Sequence, residues 1–257
     1  VWLCALCVGC VMMLLAAAAS SALTAGLAVS EVERRLSLAY GDASYDERLA
    51  IGRRAQLGDE MIYRPGAIGC SVDTSLTYGE FDLSFYRALM ESAMTTDRSP
   101  RPETIVDIGS GCGRLVLASA MLWPEAARVA GVEVVPALHS LAVAAEQSDA
   151  LPGSGPAREL YLGDAADVLR VGAPLQDASL CFCYSTTHPS VGNVLTDLSE
   201  LCGACLRTGT RVVTTDKLLG EGESRAFKLV DALEGPNRET GGSVGYVWEV
   251  VRSARLG

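Results

Sequence analysis

Strand-like and helix-like segments alternate along the chain from residue 104 to residue 215. Short apolar segments between turn residues are typical of buried strands, and longer segments with helical periodicity are typical of helices. Strands are predicted at 104–108, 129–133, 158–162, 179–184 and 210–215. Helices are predicted at 114–122, 136–147 and 191–206. This alternation predicts an α/β sheet with helices on both faces.

The end of the chain has a different pattern. Residues 226–233 and 243–252 are both strand-like, and the stretch 234–242 between them is rich in turn-forming residues. Two strands without a helix between them form an antiparallel pair. A run of parallel strands closed by such a hairpin is the class I methyltransferase arrangement, and an ordinary dinucleotide-binding fold lacks the hairpin. We therefore predict a Rossmann-like class I methyltransferase sheet with an antiparallel C-terminal hairpin.

The N-terminal segment is apolar and uncharged. No charged residue occurs in residues 1–30, and residues 1–19 are almost wholly apolar. A membrane-spanning helix needs about 20 such residues, and the small residues at 17–22 suit cleavage by a signal peptidase. We predict a cleaved signal or targeting peptide in residues 1–30, with a retained membrane anchor and a buried core helix as the alternatives.

The rest of the chain divides into two parts by composition. Residues 31–69 are polar and mixed, and we interpret them as a linker or a helical lead-in, with a solvated linker preferred. Residues 70–257 are predicted to form the methyltransferase domain. Residues 1–30 would provide membrane contact. They predict a location in the secretory pathway or an organelle, a plastid included, rather than in the nucleus.

Composition excludes several classes of function. The 257 residues are 49% hydrophobic and 20% charged, which argues against disorder. The net charge is −10, so general nucleic-acid binding is disfavoured. The chain has two histidines, and its nine cysteines show no regular disulfide framework. Cys4, Cys7 and Cys10 lie in the uncharged run without a nearby fourth ligand, so no metal site is predicted.

A glycine-rich turn follows the first strand of the predicted sheet. Gly109, Gly111 and Gly113 alternate, and Arg114 stands where the dinucleotide motif G-x-G-x-x-G requires glycine. We expect these glycines to let the amides of the turn reach a ligand. Asp107, two residues before the turn, suits an ammonium group better than a pyrophosphate. S-adenosylmethionine carries an ammonium at its methionine end, and we predict it as the cofactor.

Acidic residues follow the next two strands. Glu133, at the end of the second strand, is expected to accept both ribose hydroxyls, and Asp164 with Ala165, after the third, is expected to bind adenine. Ligands bind at the carboxyl ends of strands in open α/β sheets. The alternatives are a turn cap for Asp107, a solvent-facing strand end for Glu133 and a helix N-cap for Asp164.

An upstream element makes the resemblance more specific. Tyr78, Gly79 and Glu80 precede the stretch Asp107–Val116 and the segment Gly131–Glu133. Together they resemble the disruptor-of-telomeric-silencing histone-lysine methyltransferases, which use the class I fold and lack a SET domain. The resemblance covers roughly residues 70–215. It implies that Tyr78, Gly79 and Glu80 lie in a loop over the methionine end of the cofactor, although these residues also precede a predicted helix.

The acceptor is expected after the fourth strand. The family has an asparagine where this chain has Tyr184, which we expect to orient an amine or hydroxyl. Ser185 is a further catalytic candidate, and His188 is a candidate base because histidine titrates near neutrality. The resemblance implies transfer to a lysine side chain of a protein. A small-molecule acceptor, and a membrane-tethered domain that binds the cofactor without catalysis, are the alternatives.

Overall fold

A seven-stranded sheet forms the centre of the protein. The computed structural model describes residues 26–64, 67–73, 75–95, 103–220 and 226–252. Five parallel strands make up most of the sheet: β3 (Thr104–Ile108), β4 (Arg128–Glu133), β5 (Ala157–Leu162), β6 (Leu180–Cys183) and β8 (Arg211–Thr215). Strands β10 (Phe227–Gly235) and β11 (Ser243–Val250) pair in antiparallel fashion, and β11 also lies antiparallel to β8.

The order of the strands across the sheet is β10-β11-β8-β6-β3-β4-β5. The order in which strands are added to the sheet therefore reverses between β3 and β6, and the carboxyl ends of the parallel strands β3, β4, β5 and β6 meet at one edge. Open α/β sheets bind ligands at such a reversal. The mostly parallel sheet with its C-terminal antiparallel hairpin confirms the predicted fold class.

Helices cover both faces of the sheet. Within the described ranges they are α1 (Val29–Tyr40), α2 (Tyr45–Leu57), α3 (Leu83–Met94), α4 (Arg114–Leu122), α5 (Pro136–Glu146), α6 (Ala165–Leu169) and α7 (Thr196–Cys205). Alternate residues of β3 point to opposite faces, so Ile105 packs into the core with α1, α3 and α4, whereas Val106 packs with α6 and α7. Both cores consist of fully buried aliphatic and aromatic side chains.

Helices α1 and α2 precede the sheet, in agreement with the helical lead-in that we gave as an alternative for residues 31–69, and they pack on the core rather than form the solvated linker that we preferred. Val32, Leu36 and Tyr40 are buried and belong to the same core as the sheet. Their spacing of four residues places them on one face of α1, which explains why this polar segment packs as a helix. Ser44 begins α2 with a capping box that includes Glu47.

Two other segments differ from the expectations. A hairpin of β1 (Met61–Arg64) and β2 (Ala67–Cys70) precedes the main sheet. The helix expected at 191–206 begins five residues later, because Gly192 has a φ of 61° and the short strand β7 (Val194–Leu195) pairs with β9 (Leu218–Leu219).

The predicted signal peptide or anchor lies largely outside the described residues, which begin at Gly26. Cys4, Cys7 and Cys10 lie outside them as well. Among the helices that the structure describes, none combines the length and the apolar character required to span a bilayer.

Candidate functional site

A cavity of about 470 Å³ opens at the carboxyl ends of the parallel strands. Its volume falls within the range of small-molecule sites, about 300–1,000 Å³. The ends of β3 and β4 and the residues after β5 and β6 form its floor, and α2, α7 and the segment 75–81 contribute walls. All predicted site residues except Gly113 and Ser185 line it: Tyr78, Gly79, Glu80, Asp107, Gly109, Gly111, Glu133, Asp164, Ala165, Tyr184 and His188.

The glycine turn is held by its own hydrogen bonds. Gly109, Gly111 and Gly113 have φ angles of 76°, 55° and 79°, which favour glycine. The amides of Gly109 and Ser110 donate to the carbonyl of Val132, and the amide of Gly113 donates to Ser110. The amide of Gly111 donates to a carboxylate, so four of the five amides of residues 109–113 are paired within the protein. The expectation that amides of this turn reach a ligand stays a prediction, and it now concerns the remaining amide, that of Cys112.

The glycines also permit close packing. A Cβ atom on Gly111 would lie 2.8 Å from the ring of Tyr78, and one on Gly113 would lie 2.8 Å from the Cβ of Ala142. Contacts that short do not occur between real side chains, so any larger residue would displace these neighbours. The turn therefore brings Tyr78 directly over the backbone at one side of the cavity.

Asp107 is a buried acid at the cavity floor. Asp107 as a whole is 5% exposed. Burial and the negative charge of Glu133 raise its pKa to about 8. Among the described residues no hydrogen-bond donor contributes to that shift, so the carboxylate has no compensating partner. A buried carboxylate without a donor is costly, and a cationic ligand would relieve the cost.

Glu133 ends β4 and holds the turn. One carboxylate oxygen accepts from the amide of Gly111 at 2.6 Å, and the other accepts from the amides of Val134 and Val135 at 2.9 and 2.8 Å. A carboxylate offers about four acceptor positions, so roughly one remains for a ligand. Burial raises the pKa of Glu133 even though the three amides act in the opposite direction. The expectation that Glu133 accepts both ribose hydroxyls stays a prediction, although three of its acceptor positions are already used within the protein.

Asp164 begins α6. Its Oδ1 accepts from the amide of Ala166 at 2.8 Å, so the residue is an N-cap as the alternative interpretation stated. Asp164 and Ala165 both line the cavity. The second carboxylate oxygen of Asp164 thus stays available at the corner formed by β5 and α6.

The segment 75–81 forms one wall, which we call the cofactor loop. Tyr78 is 8% exposed and its hydroxyl donates to Glu80 at 2.9 Å. Gly79 packs against the carboxylate of Glu239, which lies 2.5 Å from the position of a Cβ atom. Glu80 is paired with Arg48 and Arg114 rather than free. The helix α3 follows, with Asp82 as its N-cap.

The acceptor candidates Tyr184 and His188 both line the cavity. The hydroxyl of Tyr184 accepts from Asn237 at 3.0 Å, and its ring contacts Phe81 edge-on. His188 Nε2 lies 3.4 Å from the Sγ of Cys183, whereas its buried Nδ1 has no partner within the described ranges. Burial and nearby Lys217 lower the pKa of His188, so the ring is neutral at pH 7.

Ser185 does not belong to this group. Its hydroxyl donates to the carbonyl of Thr215 at 2.8 Å and accepts from the amide of Thr215 at 2.9 Å. The residue is fully buried and does not line the cavity. The interpretation of Ser185 as catalytic is not supported, because its hydroxyl joins β8 to the end of β6.

Several contributors escaped the sequence analysis. Arg114 lines the cavity and donates to the carbonyl of Phe81 at 2.8 Å. Gly52 of α2 also lines it, and Arg48 of the same helix pairs with Glu80. Nothing in the local pattern marks Arg48, which is 32 positions from Glu80. Asn237 offered a weaker signal, as an amide side chain in the turn-rich stretch before β11.

Comparisons with known proteins give matches among solved structures alone. No protein-family model and no curated protein sequence matches the chain. The rRNA methyltransferase AviRa from Streptomyces viridochromogenes is 15% identical, with a TM-score of 0.49 over 69% of this chain and 87% of that one. Magnesium protoporphyrin IX methyltransferase from Synechocystis PCC 6803, solved with bound SAM, is 14% identical, with a TM-score of 0.44 over 70% and 88%.

A third solved structure, MtNAS in complex with MTA and tNA, is 13% identical, with a TM-score of 0.46 over 86% of this chain and 69% of that one.

Proposed function

We propose that this protein is an S-adenosylmethionine-dependent methyltransferase whose acceptor is a lysine side chain of another protein. The observation that carries the proposal is Asp107, a buried carboxylate without a donor at the floor of a cavity of about 470 Å³. A ligand with a fixed positive charge and an ammonium group would compensate this carboxylate. S-adenosylmethionine has both.

The cavity also offers acceptors for the rest of that ligand. Asp107 would hold the ammonium, Glu133 would accept a ribose hydroxyl and Asp164 with Ala165 would contact adenine. Tyr78 and Gly79 of the cofactor loop would cover the methionine end. The bound cofactor supplies an activated methyl group, and the protein contributes alignment and exclusion of water.

The acceptor side favours an amine. A lysine arrives protonated, so a base must remove its proton before transfer. His188 is neutral at pH 7 and its buried Nδ1 is unpartnered among the described residues. Tyr184 also lines the cavity and would orient the amine. The net charge of −10 favours a basic protein as partner.

The test is incubation of the full chain with methyl-labelled S-adenosylmethionine and a cell lysate, followed by separation of proteins from small molecules. We expect label in the protein fraction, recovered as methyllysine after hydrolysis. Asp107→Asn should abolish labelling, and Asp149→Asn, at an exposed loop position, should not.

Two other outcomes would change the proposal. Label in the small-molecule fraction would replace the lysine acceptor by a metabolite. Binding of S-adenosylhomocysteine without any transfer would indicate a cofactor-binding domain that lacks catalysis. Failure of the wild-type chain to bind S-adenosylhomocysteine would overturn the proposal as a whole.

A further inference from the structure

We propose that Arg48 is a positioning residue that holds the cofactor loop against the glycine turn, so that helix α2 is a working part of the cofactor site. The proposal rests on the proposed function for the identity of the ligand. Its structural part, the hold of Arg48 on the loop, stands on contacts within the protein.

The first observation is that the side chain of Arg48 is buried and makes several contacts within the protein. Its side chain is 9% exposed, and its Nε donates to Glu80 Oε1 at 2.8 Å. The same guanidinium donates to the carbonyl of Ala43 and lies 4.7 Å from the ring centroid of Tyr40. Arg48 does not line the cavity, so it can act on a ligand only through another residue.

The second observation is the chain of contacts that begins at Glu80. The side chain of Glu80 is 8% exposed and accepts from the hydroxyl of Tyr78 at 2.9 Å. The hydroxyl of Tyr78 also lies 2.9 Å from the Sγ of Cys112, and its ring covers Gly111. The contacts therefore run from α2 through Glu80 and Tyr78 to the glycine turn without a break.

The third observation is that helices α1 and α2 both contact this part of the protein. The hydroxyl of Tyr40, at the end of α1, donates to the carbonyl of Cys112 at 2.9 Å. Gly52 and Ala55, one and two turns after Arg48, line the cavity, and a Cβ atom on Gly52 would lie 2.4 Å from the Cβ of Tyr78. The helix therefore contacts the loop through both an ion pair and close packing.

Arg48 does not line the cavity, but its positive charge compensates the buried carboxylate of Glu80 in the cofactor loop. Glu80 has two cationic partners, and the second, Arg114, lies 3.4 Å away by its Nε. Removal of Arg48 would leave a buried carboxylate with the weaker partner alone, which is unfavourable. The loop would then move to hydrate Glu80 and would lose the position of Tyr78 over the turn.

The experiment compares Arg48→Ala, Arg48→Lys and the wild-type full chain by hydrogen exchange and by ligand binding. The matched control is Arg87→Ala, because Arg87 forms an exposed ion pair with Glu91 on α3. The ligands are S-adenosylhomocysteine and 5′-methylthioadenosine, which lacks the amino-acid end. A residue that acts through a loop over that end affects the first ligand and spares the second.

We expect Arg48→Ala to accelerate amide exchange in residues 75–81 about tenfold or more in the ligand-free protein, as for loss of one partner of a buried charge pair. Binding of S-adenosylhomocysteine should weaken about tenfold or more, and that of 5′-methylthioadenosine less than about threefold. For Arg48→Lys, both the exchange rate and the affinity should lie between those of Arg48→Ala and the wild type. Arg87→Ala should match the wild type in both. In a Glu80→Gln background, Arg48→Ala should add little.

Unchanged exchange in residues 75–81 would overturn the inference. Equal weakening of the two ligands would also overturn it, because that result describes a general loss of structure. If Arg48→Ala does not fold, Arg48→Lys decides both measurements. If the wild type binds neither ligand, the proposed function fails, and the exchange measurement in the ligand-free protein still decides whether Arg48 holds the loop.

Discussion

Replacement of Asp107 by asparagine should stabilise the ligand-free protein at neutral and alkaline pH while it destroys cofactor binding. The perturbation removes an acidic group that is buried without a donor among the described residues, and it changes the shape of the side chain little. The substitution should stabilise the ligand-free protein but abolish binding, because the carboxylate contributes to ligand binding and destabilises the fold.

The magnitude follows from proton binding. The pKa of Asp107 is raised from 3.8 to about 8 in the folded protein, so between these values the native state holds a proton that the unfolded chain has lost. The free energy of unfolding therefore falls as pH rises through this window, by up to about 1.4 kcal/mol per pH unit for one group. Between pH 5 and pH 8 the difference between Asp107→Asn and wild type should grow by about 4 kcal/mol in favour of the variant.

The assay is urea denaturation of both proteins at several pH values from 5 to 9. The difference between the two free energies of unfolding cancels the titration of groups that the substitution does not affect. It should rise from pH 5 to pH 8 and level off above. Calorimetry of the same samples should show loss of S-adenosylhomocysteine binding by the variant, and Asp149→Asn should change neither quantity.

A difference that stays constant from pH 5 to pH 8 would refute the reasoning, because Asp107 would then be ionised without cost. Normal binding of S-adenosylhomocysteine by Asp107→Asn would show that the carboxylate does not hold the ammonium.

Three further predictions follow from the hydrogen bonds at the site. Glu133→Gln should weaken S-adenosylhomocysteine binding and also lower the free energy of unfolding by about 1.5–3 kcal/mol, since it disturbs amide bonds to a buried carboxylate; unchanged urea denaturation would contradict this. If His188 is the base, turnover falls when the imidazole is protonated, and its lowered pKa puts that fall below pH 6.5. His188→Asn should remove this acidic limb from the pH profile of turnover. NMR titration of the imidazole signals checks the pKa. Ser185→Ala should cost about 1–3 kcal/mol of stability, measured by urea denaturation, because two buried groups of Thr215 lose their partner; turnover per folded molecule should not change, and a large loss would restore Ser185 as catalytic.

The order of elements could be predicted from the sequence because it depends on local periodicity. Residues 104–108 and 114–122 were predicted with the bounds that the structure has, and the C-terminal hairpin identified the fold class. Asp107 and Glu133 could be proposed as site residues for a related reason. Parallel strands bring their carboxyl ends to one edge, so the residues that follow successive strands become neighbours whatever the details of packing.

The N-terminal helix α1 could have been predicted from the sequence. Val32, Leu36 and Tyr40 repeat at helical spacing, but the many polar residues between them favoured a linker. A local pattern does not show onto which surface the apolar face of α1 packs. A helix that is short and polar gains its stability from such contacts and not from its own propensity.

The chemistry of the side chains was decided by the tertiary structure. Whether a polar side chain is free or paired depends on groups far away in sequence: Glu80 meets Arg48, Ser185 meets Thr215, and Asp107 meets no donor in the described chain. Hydrogen bonds and desolvation act over a few ångströms, and only the fold determines which groups come that close. The sequence therefore determined most of the acids and bases that surround the cavity, and the tertiary structure added others, such as Arg114, and decided which remain available to a ligand.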